Sequence, residues 1–306
     1  MDLSSVIMQM AVLLIVILIG YAAAKAKIFP TDTNRVLSQI VIYVTNPCTV
    51  LFAALGGERM LDNRQVLLLT VIAVAMYGVL IGLGFVLPRL LACPKEDRNL
   101  YHFMCVFSNM GFLGFPVVSA LYGPNAVFFA SIFNLVLQFI GYTYGDSLLN
   151  PNAKGWRSGL KNLCSPIIIA SILAYICYLT DVKAPKLVLS TLQLLANVTS
   201  GLSMLVIGIA LASVPLGKVF TNWRLYVINL VRLLLLPAGA FLLLRPLVEN
   251  QLVLGITVVM AGMPVATLTT LLTAKYNGNQ QLAAAGVFLS TLLSFITIPL
   301  LMWIMF

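Results

Sequence analysis

The sequence predicts an all-α polytopic membrane protein: ten transmembrane helices in two inverted five-helix repeats. Three observations predict it. Of the 306 residues, 61% are hydrophobic and only 9% charged, whereas a soluble domain carries about a quarter charged residues. Runs of about 20 apolar residues, enough to cross a bilayer, recur along the whole chain. Segments roughly half a chain apart match one another, and internal repeats of this kind reveal architecture before site chemistry does.

The first run covers residues 4–24. Asp2 precedes it and Lys25 and Lys27 follow, the reverse of a secretory signal's charge order, so it reads as a retained helix. The next runs are 33–56, 65–91, 99–121 and 124–145, then 162–180, 188–213, 222–245, 250–276 and 279–304. The fourth and ninth are the most polar and are interrupted by Gly and Pro. Placing the N-terminus outside puts 12 basic residues in inner loops, among them Lys25, Arg98, Arg157 and Arg224, and 5 in outer loops. The positive-inside rule therefore predicts both termini outside. The net charge of +9 orients the chain and does not point to nucleic acid. The short central loop, about residues 146–161, favours a bacterial inner membrane.

Composition narrows the chemistry. The five cysteines (Cys48, Cys93, Cys105, Cys164, Cys177) form no CxxC, and His102 is the single histidine, so no metal site is expected. No Asp or Glu lies in the middle of a span, which argues against a carboxylate proton relay and against a membrane-embedded enzyme. No cofactor is expected; coupling to sodium or protons is left open.

The halves share a pattern. Val44 to Leu51 matches Val198 to Leu205, 154 residues apart; Gly20-Tyr21 and Ala174-Tyr175 share that offset. Pro116 and Pro264 lie 148 apart. Five spans per half is an odd number, so the second half starts on the opposite side of the membrane, the inverted-repeat design of many secondary transporters. Such carriers bind substrate near helices broken at corresponding positions. Gly111, Gly114 and Pro116 in span four, and Gly262 and Pro264 in span nine, mark those breaks, because proline removes a donor and clashes with the preceding turn. The alternative is a pair of simple proline kinks.

These segments resemble the auxin efflux carrier family, which includes plant PIN-formed auxin carriers and bacterial carriers described as malate or malonate permeases. Span four is similar to the plant N-x-x-x-x-G-x-P motif followed by Y-G, here Asn109, Gly114, Pro116 and Tyr122-Gly123. Span nine is similar to the family's A-x-P segment ending in A-K-(E)-Y, here Ala261 and Pro264, with two residues between them instead of one, and Ala274-Lys275-Tyr276, one residue short between Lys and Tyr. Gly20-Tyr21 and Pro47 stand as in bacterial members. The likeness covers the whole chain. Ser108 replaces the proline that plant carriers have before the asparagine, and no large central loop is present, so neither auxin nor a plant-type phosphorylation switch is implied.

The resemblance implies that broken helices four and nine cross. Spans one, two, six and seven (1–56 and 162–213) would form a dimerising scaffold. Spans three to five and eight to ten (65–145 and 222–304) would form a moving transport domain. It implies alternating-access transport of a small organic anion, with a bile-acid-type sodium symporter of the same fold as the rival reading. Substrate-binding candidates are Asn109, with its neighbours Ser108 and Met110, then Met263, Thr267 and Asn46. Half-helices beginning near Pro116 and Pro264 would aim their N–H ends at the anion. Asn109 either contacts substrate or bonds freed backbone. Arg232, the one basic residue well inside a span, either attracts the anion, binds freed carbonyls, or snorkels to the inner interface. Asp146 is its candidate partner, or a solvated helix-end residue.

Overall fold

The computed structural model describes residues 3–30, 32–57, 59–150, 164–214 and 220–305. Lys154, Arg157 and Lys161 of the central loop, and Lys218, lie outside the described residues. Among the described residues there are twelve helices and no strand, only one isolated bridge between two extended residues. The helices are α1 (Leu3–Lys25), α2 (Thr33–Leu55), α3 (Asn63–Leu90), α4 (Arg98–Val106), α5 (Met110–Tyr122), α6 (Pro124–Leu149), α7 (Pro166–Leu179), α8 (Lys186–Ala212), α9 (Trp223–Leu244), α10 (Gln251–Ala261), α11 (Leu268–Lys275) and α12 (Gln280–Met305). Seven of them, α1, α2, α3, α6, α8, α9 and α12, are long and apolar enough to cross a membrane. The sixth predicted span is shorter than expected: α7 has 14 residues, about 21 Å of helix. Leu18, Leu67, Leu194, Leu243 and Trp303 are among many large apolar side chains left exposed, as lipid-facing positions require.

Two compact units divide the chain. Unit 1 comprises Met1–Thr70, Met110–Leu135 and Cys164–Ser213; unit 2 comprises Val71–Asn109, Val136–Leu163 and Val214–Phe306.

In unit 1, α1 and α8 pack backbone to backbone. A Cβ at Gly20 would stand 2.6 Å from the Leu205 carbonyl, and one at Gly208 would strike the Ile17 carbonyl. Small residues allow this close approach, which supplies the packing that lipid cannot. The Tyr178 hydroxyl accepts from the Leu61 amide at 3.0 Å and donates to the Leu61 carbonyl at 2.8 Å, and its ring stacks on Phe128. Between α5 and α6 the chain turns at Gly123 (φ 89°, ψ 163°), a conformation essentially reserved to glycine.

In unit 2, polar side chains fix the helix starts. Asn222 accepts from the Arg224 amide at 3.1 Å, Asn250 from Leu252 at 2.9 Å, and Asn279 from Leu282 at 3.0 Å, each filling a role that an N-cap serves. Met104, Leu225, Ile228 and Leu289 belong to one buried apolar cluster.

The α-helical part of α5 begins at Phe115 with Pro116 in its first turn, and a stretch of wider π-helical turns at Met110–Gly114 carries the helix back to Met110. Such turns bond i to i+5 and relax the ladder where the proline ring would otherwise meet the preceding turn. The same device precedes Pro47, at Val41–Thr45, and Pro237, at Val231–Leu235.

Candidate functional site

Both polar, proline-bearing segments do break, and unit 2 contains the place where they meet. α4 stops at Val106 because Phe107 turns extended (φ −91°, ψ 120°). α10 stops at Ala261, ahead of Pro264, and the next helix starts at Leu268. The two unwound stretches lie antiparallel, Ser108 against Val265. The Asn109 amide donates to the Pro264 carbonyl at 2.8 Å, and the Ala266 amide to the Phe107 carbonyl at 2.9 Å. From α12, the Ser290 hydroxyl accepts the Val265 amide at 3.1 Å. Non-helical backbone at membrane depth survives only when protein or a lined cavity satisfies its polar groups, and these contacts do so.

Arg232 completes the arrangement. It sits in the π-helical turn of α9 and is 2% exposed. Its guanidinium donates to the carbonyls of Met104 (2.8 Å), Met263 (3.2 Å) and Cys105, and to the Ser108 hydroxyl. Fully buried Tyr77 adds a side-chain hydrogen bond to Ser108. Met104 and Cys105 lie in the last turn of α4, whose carbonyls have no helical partner. α4 and α10 both end at this point, each presenting about half a negative charge. One guanidinium therefore roughly neutralises two helix ends. Each of its nitrogens is engaged, so Arg232 is held by backbone and does not snorkel. Asp146 is bound elsewhere in the unit: it accepts from the Tyr276 hydroxyl and lies 4.0 Å from the Lys275 ammonium.

Of the candidate substrate-binding and crossover residues, unit 2 holds Ser108, Asn109, Met263 and Thr267 of the first kind and Gly262 and Pro264 of the second. Met263 is fully buried. Asn109 is 3% exposed, and its side-chain Nδ2 has no hydrogen-bond partner within the protein. Thr267 opens α11, with its carbonyl accepting from the Thr270 hydroxyl at 2.8 Å; Thr269 is buried with an unpartnered hydroxyl. Unit 1 holds Met110, Gly114, Pro116 and Asn46. There the Asn46 amide donates to the Gly111 carbonyl at 3.2 Å. Sequence reasoning missed Ser290 and Tyr77. Neither carries a pattern signal, since hydroxyls on apolar helices are common and most bond their own backbone.

The Membrane transport protein family matches residues 5–159 and 155–302. The uncharacterized transporter MJ1031 of Methanocaldococcus jannaschii is 27% identical over 96% of this chain and 97% of its own length. The uncharacterized transporter YfdV of Escherichia coli (strain K12) is 24% identical over 95% and 94%. A Schizosaccharomyces pombe transporter is 24% identical over 45% of the chain. This is a multi-pass membrane protein, and it belongs to the membrane transport protein family, that of the auxin efflux carriers.

Proposed function

We propose that the protein is a secondary transporter of small organic anions, carboxylates in particular, working by alternating access. In this reading ten spans form two inverted repeats with both termini outside the inner membrane. A crossover domain moves against a scaffold that dimerises. One observation carries the substrate class: the unpartnered Asn109 Nδ2 donor, buried at a crossing where neighbouring backbone groups and the guanidinium are already engaged. A buried donor left unmade costs about 1–3 kcal/mol, and a carboxylate oxygen satisfies it. α11 starts at the same crossing and adds the positive end of a helix dipole, with the Thr269 hydroxyl in its first turn. Arg232 then serves the substrate indirectly, by cancelling the negative helix ends beside it.

The test is uptake into proteoliposomes. Saturable transport of radiolabelled mono- or dicarboxylates, with counterflow, is expected. Transport of some other solute with every carboxylate excluded would overturn the reading. A bile-acid-type sodium symporter would instead prefer a bulky steroid anion over small carboxylates in the same assay.

A further inference from the structure

Unit 1 contains a cavity of about 240 Å³ whose wall is built by α2, α5, α6 and α8 together. Part of the wall is apolar: Phe52, Phe115, Pro124 and Val127. The rest is polar and uncharged: Thr49, Ser119, Asn197, Thr199 and Ser200. None of the described lining residues carries a charge. An apolar wall with a few placed polar groups is the usual make-up of a small-molecule site.

The hydroxyl protons at this wall can be counted. Thr49 donates to the Thr45 carbonyl at 2.8 Å. Its 2.7 Å bond with Thr199 is therefore donated by Thr199, whose other acceptor, the Leu195 carbonyl, is farther off at 3.4 Å. The threonine pair has spent both protons and has only lone pairs left to offer. Hydroxyls on helices commonly bond a carbonyl of the preceding turn, as Thr191 does to Leu187 at 3.0 Å and Thr257 to Val253 at 2.8 Å. The side chains of Ser119, Ser200 and Asn197 make no hydrogen bond among the described residues. Both serines are half-buried, and each keeps its proton and its lone pairs for whatever occupies the cavity.

The wall therefore presents donors and acceptors side by side. A carboxylate only accepts, so it leaves the threonine lone pairs unmet. An ammonium only donates, so it leaves the serine protons and the Asn197 amide hydrogens unused. Either ion would also give up hydration with no counter-charge in the wall. The start of α6 does not supply one. Pro124 has no N–H, and the Ala126 and Val127 amides are turned back onto carbonyls of residues 123–125. Water matches the polar groups but leaves the apolar wall wet, and covering that surface is favourable. The volume equals roughly eight waters at about 30 Å³ each, which suits a single ring with one substituent. We propose that this cavity binds a small uncharged molecule with an apolar ring and a paired donor and acceptor, the aromatic primary carboxamide being its simplest form. The site does not rest on the carboxylate reading, and none of its lining residues belongs to the crossing.

Equilibrium dialysis of radiolabelled benzamide against the full chain in lipid nanodiscs, with empty nanodiscs as the blank, tests this without transport. Saturable binding above the blank is expected. Benzoate and benzylammonium, the same ring with a negative or positive substituent, should compete at least about tenfold more weakly, which is about 1.4 kcal/mol of binding energy. Benzamide should also raise the thermal midpoint, since a ligand of the native state stabilises it. Ala196, another wall residue, can be enlarged: Ala196→Phe should fill the cavity and abolish binding. Ser119→Ala and Ser200→Ala keep the cavity open and should each weaken binding at least about threefold. Thr191→Val, at an exposed hydroxyl bonded within its own helix, should leave it unchanged. No saturable benzamide binding to the wild type, or benzoate or benzylammonium binding as tightly as benzamide, would overturn the proposal. So would unchanged benzamide affinity in both serine variants. If carboxylate transport fails while benzamide binding persists, only the transport reading falls; the reverse outcome removes only this site.

Discussion

Arg232 donates from α9 to the Met104 carbonyl at 2.8 Å, 128 residues away in sequence, in the last turn of α4. The same side chain reaches the Met263 carbonyl just beyond α10. A single cation thereby joins the two broken segments at their negative ends. This makes Arg232 a fold-determining residue of unit 2 as well as an electrostatic one.

Replacing it should therefore damage folding first. Arg232→Met removes the charge and leaves the buried carbonyls of Met104, Cys105 and Met263 without this donor, and each buried group left unsatisfied costs about 1–3 kcal/mol. Loss of monodisperse protein in detergent, or a much lower thermal midpoint, is expected. Arg232→Lys keeps the charge but lacks the planar fork, so it should rescue only in part. If Arg232 were a substrate contact alone, both variants would melt like the wild type and lose only uptake.

Ser290 offers a finer test of the crossing. Ser290→Ala orphans the Val265 amide, and a buried donor left unsatisfied costs about 1–3 kcal/mol. Ser294, also fully buried, bonds only the Thr291 carbonyl of its own helix at 2.7 Å. Ser294→Ala removes only a hydroxyl bonded back to its own helix and orphans no N–H donor, so it should cost less than Ser290→Ala. Equal midpoints for the two variants would argue against the Ser290 contact.

The α1–α8 seam is checked by adding bulk. Gly208→Val places a branched side chain against the Ile17 carbonyl and the Tyr21 amide. Overpacking by this route costs typically 1–3 kcal/mol, with more here because backbone must move. A Cβ at Gly78 meets nothing within 4 Å, so Gly78→Ala should be neutral or slightly stabilising, since alanine favours helix over glycine. Thermal unfolding of the two variants separates the cases.

Much of this fold is legible in the sequence because a bilayer imposes length and apolarity on each crossing element. All seven long helices lie within a few residues of runs visible in the hydropathy pattern. The breaks in the fourth and ninth runs are signalled by their Gly and Pro content, but their positions are not. Pro264 does lie in a break, whereas Pro116 rides inside α5. A proline in a helix has two outcomes, unwinding or a widened turn, and neighbouring packing decides between them. The partners of Arg232 were open for a related reason. Apart from the Ser108 hydroxyl, its contacts are backbone carbonyls, among them ones 31 and 128 residues away, and carbonyls leave no mark in side-chain sequence. Ser290 and the Thr49–Thr199 pair were hidden for the same reason that makes them effective: an isolated hydroxyl on an apolar helix gains meaning only from what faces it.

The most direct measurement is carboxylate uptake by proteoliposomes containing wild type, Asn109→Ala or Asn109→Asp, with thermal midpoints recorded alongside. Asn109→Ala removes the unpartnered donor, and Asn109→Asp turns that end of the side chain into an acceptor that repels an anion. Both variants should fold, because the Asn109 backbone amide still bonds Pro264. A lost charge-assisted hydrogen bond is worth about 1.5–3 kcal/mol. Asn109→Ala should therefore lower apparent affinity by at least about tenfold, and Asn109→Asp should abolish uptake. Folded variants that transport carboxylates with wild-type affinity and rate would contradict the assignment of Asn109 to the substrate.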